Sequence, residues 1–393
     1  MVVDQAPARD PFRLGDEERS VRDTVRDWAQ REVAPGAAQR DEEERYDRSL
    51  FERAGDLGIT GLPYPEQLGG AGMGTFAWVL AVEEIAAADM GLAVSLSVHI
   101  LSQLCIYSSG TEEQKGRFLP TMTAGRELGA FALTEPGAGS DAASLSLAAR
   151  RDGDGYLLTG TKIWITNAGD AARYVVFATV DRSKGRAGIT AFVVEADTPG
   201  FRLGSKERKM GIRGTTGYEI VFEDARVPAA NRLGEEGDGL TVALSALGAG
   251  RISIAGACTG LARTALELAA RYALQRRQFG RPIADQEMIQ AMLAEMAVEV
   301  DAARLLTWRA ARMRDAGQPI NSPSSMAKWY ASDVAMRVTT DAVQIYGGAG
   351  YSRDNPVERL MRDAKGAQIY EGTNQIHRLI VAQQLLDTVR RNG

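Results

Sequence analysis

Cysteine and histidine are scarce in this chain of 393 residues, and neither sign of charge dominates it. Its two cysteines, Cys105 and Cys258, stand far apart and outside any CxxC. That excludes a disulfide framework and a structural zinc site, and it fits a reducing compartment. Its two histidines, His99 and His377, stand too far apart for HExxH metal chemistry, and neither follows a glutamate by three places, as a di-iron bundle with two Glu-x-x-His pairs would require. No metal site is expected. Lysine and arginine number 46 against 51 acids, a net charge of -5, so the basic face that nucleic-acid binding needs is missing from the overall balance. No GxGxxG occurs, since "GGAGMGT" and "GGAGYSR" break its spacing, and there is no GxxxxGK[ST], which argues against Rossmann and P-loop enzymes. The N-terminal stretch carries acids from Asp4 onward and has no apolar leader core. Between Met90 and Gly110 all charge is absent over the length of a membrane span. Ser95, Ser97, His99, Ser102 and Gln103 interrupt it, and such groups are costly in lipid, so a helix buried inside the protein is expected.

What is present falls into three stretches. The first reads as helices: Val21, Val25, Trp28 and Val33 recur at helical spacing, and Thr111 and Gln114 have capping-box spacing. The run "RDEEER" (Arg40 to Arg45) reads as a solvated helix face or loop. From about Leu128 the period shortens to β-rich runs separated by "RDGDG", "DRSKGRAG" and "ADTPG". Short strands without intervening helices suggest a small antiparallel barrel or sandwich. "KERK" (Lys206 to Lys209) reads as an exposed turn, with a phosphate site as the alternative. From about Gly239 long amphipathic segments return, as an antiparallel bundle requires. The expected architecture is therefore α+β and mainly α: a helical domain over 1–127, a middle antiparallel β-barrel over 128–238 and a C-terminal four-helix bundle over 239–393.

Two stretches carry candidate chemistry. In "TEPGAGSD" (Thr134 to Asp141), Pro136, Gly137 and Gly139 force an exposed-backbone turn, and Ser140 adds a hydroxyl. Successive N–H groups in such a turn can form an anion-binding concavity. In "KIWITN" (Lys162 to Asn167), Trp164 and Thr166 have the same parity and on a strand would share a face. An indole beside a hydroxyl suits a flat heteroaromatic ring, and a core tryptophan is the competing reading.

The order "TEPGAGSD", "KIWITN", "KMGIRG", "FEDARVP", "RRQFG", "QIYGGAGYSRDNPVERLMRDAK", "YEGTNQ" resembles the acyl-CoA dehydrogenase family of flavoproteins over essentially the whole length. "KGRAGIT" and "ARLLTWRAA" are most similar to its short-chain branch. The resemblance implies FAD between the β region and the C-terminal bundle. Thr134 would meet the flavin pyrimidine edge, Ser140 the pyrophosphate, Trp164 the isoalloxazine face and Thr166 the region of N5. Phe131, Leu133, Gly139 and Ile165 would complete that wall. Arg276, Phe279, Gln344 and Gly348 would reach across from a neighbouring subunit. Thr373 and Gln375 would add FAD contacts. Ser140, Leu247, Arg251, Tyr370 and Gly372 would line the substrate site. A cytoplasmic homotetramer, built as a dimer of dimers and serving an electron-transfer flavoprotein, follows from the same likeness.

The implied reaction is α,β-dehydrogenation of a short- to medium-chain acyl-CoA to the trans-2-enoyl-CoA. It needs a hydride acceptor, which flavin N5 supplies, and a carboxylate base in a dry pocket. Glu371 of "YEGTNQ" matches that base. Some branches carry the base on the first long helix of the bundle, but the matching residue here is Gly250, between Ala249 and Arg251. Two departures stand out. Gly248 replaces an aspartate near the CoA side, leaving an acyl carrier protein as the alternative carrier. Glu287 replaces a glutamine that contacts the FAD adenylate, with Gln286 one place earlier. The uncharged Met90–Gly110 helix, matching the acyl-tail wall, favours a neutral acyl chain, since a buried carboxylate there would lack a counter-ion.

Overall fold

The computed structural model describes residues 13–392; the N-terminal twelve, on which the reading of a leader rests, lie outside them. The chain opens with α1 (Asp16–Trp28), capped by the Glu18 carboxylate accepting from the Gly15 N–H at 2.8 Å. One π-helical turn (Ala29–Val33) extends it before Pro35 stops it. Helices α2 (Ala37–Glu42) and α3 (Arg48–Asp56) follow. Helix α4 (Gly74–Ala88) is capped from a distance by Asp315, whose carboxylate accepts from the N–H groups of Thr75 and Phe76. Asp89 adopts an extended backbone and caps α5 (Met90–Ser109) through Gly91 and Leu92. The expected capping box of Thr111 and Gln114 begins α6 (Glu112–Thr123).

Helix α5 is 78% buried over its most apolar window, inside the fold as expected. The "RDEEER" run differs from its reading as a solvated face. Arg40 and Asp41 are buried, Arg40 paired with Asp89 at 2.8 Å and Asp41 with Arg362 at 2.7 Å, while Glu42 to Glu44 are exposed or half-buried.

Eight strands make the middle region: β1 (Gly129–Ala132), β2 (Ala148–Asp152), β3 (Gly155–Thr166), β4 (Arg173–Thr179), β5 (Ile189–Glu195), β6 (Phe201–Lys206), β7 (Gly217–Pro228) and β8 (Arg232–Leu233). They run in the order β6-β7-β3-β2-β4-β5-β8, with β1 on β4. The expected closed antiparallel barrel is not found among the described residues: β6 and β8 end an open path, and β1 and β2 both pair parallel to β4. Burial on both faces replaces closure. Val175, Phe177, Ala191 and Val193 enter one apolar cluster with α5 and α6, and the alternate Tyr174, Val176, Phe192 and Val194 enter the other.

Helix α7 (Gly239–Gln275) leads into a hairpin, β9 (Arg277–Gln278) and β10 (Arg281–Pro282), then α8 (Glu287–Asp315) and α9 (Asn321–Tyr346). A short α10 (Val357–Ala367) and the long α11 (Asn374–Asn392) complete the chain. The helices α7, α8 and α9 pack on one another, and α10 and α11 lie on α9. Gly260 lets α7 meet α4 closely, since a Cβ there would stand 2.0 Å from the Glu83 carbonyl.

"KERK" splits. Lys206 and Arg208 are exposed, but Lys209 turns inward and donates to the carbonyls of Ile212 and Thr215, closing the "KMGIRG" loop. Asp363 of α10 then accepts from the Ile212 N–H, fixing that loop to the helix leading to Glu371. Neither an exposed turn nor a phosphate site describes Lys209.

Candidate active site

Glu371 lies on the loop joining α10 to α11, where it and Gly372 take consecutive left-handed conformations, with φ of 54° and 94°. Such a conformation is strained for a glutamate and free for a glycine. The Glu371 Oε2 atom is shielded from solvent and has no hydrogen-bond partner among the described residues. It points at α7: a Cβ on Gly250 would stand 2.5 Å from that oxygen and 3.3 Å from Leu101 Cδ1 of α5. The two positions weighed for the base in the sequence thus face each other, and only one bears an acid. Burial pushes the Glu371 carboxyl up to about 7, opposed by the charges of Lys328 and then Arg251.

Arg251 is buried on α7 without an acid in hydrogen-bonding range among the described residues. Its Nη1 makes long contacts to Asn321 Oδ1 (3.3 Å) and Ser325 Oγ (3.4 Å), and its Nε has no partner. The hydroxyl of Tyr370 is likewise buried and unpartnered. His377 is buried on α11 against Gly372, and burial pushes its imidazole down to about 3, so it stays neutral. Around Glu371 the protein therefore assembles polar atoms with no partner of their own, which is the signature of a site built for a ligand.

The other candidate motifs meet at the sheet. The Ile163 N–H donates to the Thr134 carbonyl at 3.0 Å, which sets "TEPGAGSD" beside "KIWITN". Buried Lys162 reinforces the junction, donating to the Leu133 carbonyl (3.0 Å) and to Glu135 (2.8 Å). Glu135 also accepts from Ser146 and from the Leu147 N–H. Pinned there, the turn leaves Gly137, Gly139 and Ser140 exposed, with nothing within 4 Å of a Cβ built on either glycine.

Trp164 is 56% exposed, not a core residue. Simple strand parity does not describe it: the register slips between Lys162 and Ile165, and Trp164 has a φ of 60°. Ile165 is buried and Thr166 half-buried. Next to them Asn167 is locked to α5, donating to the Ser95 and Gly129 carbonyls and accepting from Ser95 Oγ at 2.7 Å. His99 accepts from the Gly129 N–H at 3.0 Å, and Ser97 bonds within its own helix. These polar side chains of α5 are spent on structure rather than on a polar acyl group.

Phe131, Leu133 and Leu247 join one apolar cluster with Leu101, so the wall beside the turn is continuous with the wall beside Glu371. An exposed indole, an open glycine turn with free backbone and a dry carboxylate beyond it fit FAD with a thioester beside it. Arg276, Phe279, Glu287, Gln344, Gly348 and Gln375 are all exposed, with Phe279 at 95%. Thr373 is half-buried and caps the start of α11 through the Ile376 N–H.

Sequence reasoning missed three supporting groups: Lys162 with Glu135, Asn167, and Lys328 of α9. A signal existed for Lys328, because it falls among Ser324, Ala327, Ala331 and Ala335 on the buried side of α9.

Comparisons with known proteins agree with this geometry. Family models described as acyl-CoA dehydrogenase N-terminal, middle and C-terminal domains match residues 15–126, 130–225 and 237–386. An acyl-CoA dehydrogenase of Bacillus subtilis is 48% identical over 94% of this chain and 98% of its own. The structure of butyryl-CoA dehydrogenase from Megasphaera elsdenii is 45% identical, covering 96% of this chain and all of that one, with a TM-score of 0.94. A chain solved in work on the electron transferring flavoprotein of Acidaminococcus fermentans superposes with a TM-score of 0.95 at 44% identity, covering 96% of this chain and all of that one. The chain belongs to the acyl-CoA dehydrogenase family, a family of FAD-dependent oxidoreductases, and is most similar to its short-chain members.

Proposed function

We propose that this protein desaturates a short- to medium-chain acyl-CoA between Cα and Cβ to the trans-2-enoyl-CoA, with electrons leaving to an electron-transfer flavoprotein. The observation that carries the reading is the Glu371 carboxyl, pushed up to about 7, with its Oε2 shielded, without a partner among the described residues and aimed across Gly250. A base with that affinity is ionised near neutrality yet still binds the proton it removes.

FAD, when bound, supplies the hydride acceptor for Cβ. Glu371 takes the Cα proton, and its own N–H would donate to the thioester oxygen as enolate character develops. Tyr370 and Gly372 border that oxygen, and Leu247 and Arg251 border the thioester. Thr134, Ser140, Trp164 and Thr166 would hold the flavin, with Phe131, Leu133, Gly139, Ile165, Thr373 and Gln375 completing its site. Water is excluded by Leu101 and the apolar side chains continuous with it.

Three units share the work: 1–127, 128–238 and 239–393. Exposed Arg276, Phe279, Glu287, Gln344 and Gly348 complete a neighbouring subunit's FAD site in a homotetramer, a dimer of dimers. Support comes from the apolar side chains left bare on α11 (Leu379, Leu385, Leu386 and Val389) and on the hairpin. The bacterial relatives support a cytoplasmic setting, and the acyl-CoA names of the relatives support CoA over a carrier protein despite Gly248. The flavoprotein partner rests on the likeness to the Acidaminococcus chain.

Anaerobic titration of the FAD-loaded protein with butyryl-CoA tests the reading. Flavin bleaching is expected with the native chain and not with Glu371→Gln, although both bind FAD. Bleaching by Glu371→Gln would remove Glu371 from its role, and faster reduction by a carrier-protein-linked butyryl group would replace CoA as the carrier.

A further inference from the structure

We propose that Lys328 is a positioning residue for the base: its buried ammonium grips the backbone just after Glu371 and so fixes where the carboxylate points. This rests on Glu371 being the base. Lys328 is fully buried on α9, and no carboxylate lies within ion-pair distance of it among the described residues. Its Nζ donates to the Gly372 carbonyl at 2.7 Å and to Asn374 Oδ1 at 3.2 Å. A buried ammonium without a carboxylate partner is costly, and a methionine of similar reach would fill the space without that cost. What methionine cannot supply is a donor to that carbonyl.

The carbonyl matters because it belongs to the second of two consecutive left-handed residues, Glu371 and Gly372. Left-handed backbone persists for a glutamate only where its surroundings dictate it. The loop is fastened to α9 on both sides of that strained pair. Gln368 donates to Asp333 at 2.7 Å before it, and Asn374 donates to Ser332 (2.9 Å) and Asp333 (2.7 Å) after it. Lys328 holds the centre with a 2.7 Å bond to the Gly372 carbonyl, and the His377 ring packs against the same glycine. Released from it, the Gly372 peptide can rotate, and Glu371 would then lose its register over Gly250.

The charge acts as well. The titratable groups around Glu371 are Arg251 and Cys258 on α7, Lys328 and Asp333 on α9, Tyr370 on the loop and His377 on α11. Of the two cations that favour the ionised base, Lys328 exerts the larger pull. Burial brings Lys328 itself down to about 8, so it remains mostly charged where Glu371 titrates.

The test compares FAD-loaded wild type, Lys328→Met, Asn374→Ala and Glu371→Gln with butyryl-CoA. For Lys328→Met, kcat is expected to fall by about tenfold or more with KM changed by less than about threefold, since ground-state contacts remain. The rising limb of kcat against pH should move to higher pH, which a merely structural role would not do. For Asn374→Ala, which leaves the charge in place, kcat should fall by about threefold or more with the limb unmoved. Wild-type kcat and pH limb in Lys328→Met overturn the proposal. Where Lys328→Met fails to fold or to hold FAD, wild-type kcat in Asn374→Ala overturns it. Turnover by Glu371→Gln instead sinks the assignment of the base, whatever Lys328→Met does.

Discussion

At Glu371 burial lifts the carboxyl from 4.5 to about 7, and each unit of that displacement is worth about 1.4 kcal/mol. Below pH 4.5 the group is protonated whether the chain is folded or not, and its contribution to stability is fully present. Between 4.5 and about 7 only the unfolded chain releases the proton. As pH rises through about 7, about 3 kcal/mol of stability is therefore lost. Glu371→Gln, which never ionises, should match wild type in Tm at about pH 4.5 and exceed it by several degrees above about pH 8. Thermal melts across that range check it, and a difference that does not grow with pH contradicts a buried, raised carboxyl. The opposing residue gives a second measurement. Gly250→Ala puts a methyl group where Oε2 now rests, 2.5 Å away, and the carboxylate must swing aside. Misplacement on that scale is expected to cost about 10- to 100-fold in kcat while FAD content stays unchanged. Glu371 was legible in the sequence because a motif surrounds it and no rival acid occupies position 250. Lys328 was not, because a lysine on a helix is by default a solvated charge and its partner, the Gly372 carbonyl, belongs to another element.

The elements that carry "TEPGAGSD" and "KIWITN" are joined by one buried pair. Lys162 of β3 and Glu135 after β1 are both within the core, at 2.8 Å, and between them they tie the glycine turn to the tryptophan strand. Removing one partner strands the other, whereas removing both leaves less to compensate. Lys162→Met should destabilise by about 3–5 kcal/mol, and Glu135→Gln with Lys162→Met by clearly less than the sum of the single changes. Urea unfolding of the two single variants and the double checks the coupling; additivity would mean that the pair acts as two separate groups. At this scale legibility follows locality. The capping box of α6 and the burial of α5 could be read because caps and polar interruptions are local signals. The sheet's open order could not, because β1 and β2 pair parallel to β4 through partners distant in the chain, and two buried faces produce the same short apolar runs as a barrel. Trp164 escaped the parity argument for a related reason: a bulge is a pairing event, not a sequence period.

For the whole molecule, the question is which chain completes a site. Arg276, Phe279, Gln344 and Gly348, proposed above to complete a neighbouring subunit's FAD site, are all four exposed on their own chain. In a two-fold assembly each subunit presents the same surface to its partner, so a residue useless at home can serve across the interface. That arrangement has a quantitative consequence. A Glu371→Gln subunit has no base but still presents native Arg276 and Phe279; a subunit with Arg276→Ala and Phe279→Ala has the base but presents neither side chain. Each homo-oligomer should be nearly inactive with butyryl-CoA. When the two are unfolded together and reassembled with FAD at equal concentrations, half of the two-fold pairs are mixed. Within each mixed pair one of the two sites joins a native base to native donated residues. Activity should then return to about a quarter of that of wild type carried through the same procedure, as random pairing across a two-fold axis requires. If every site is complete within one chain, the mixture stays as inactive as its components, and the exposed residues need another explanation.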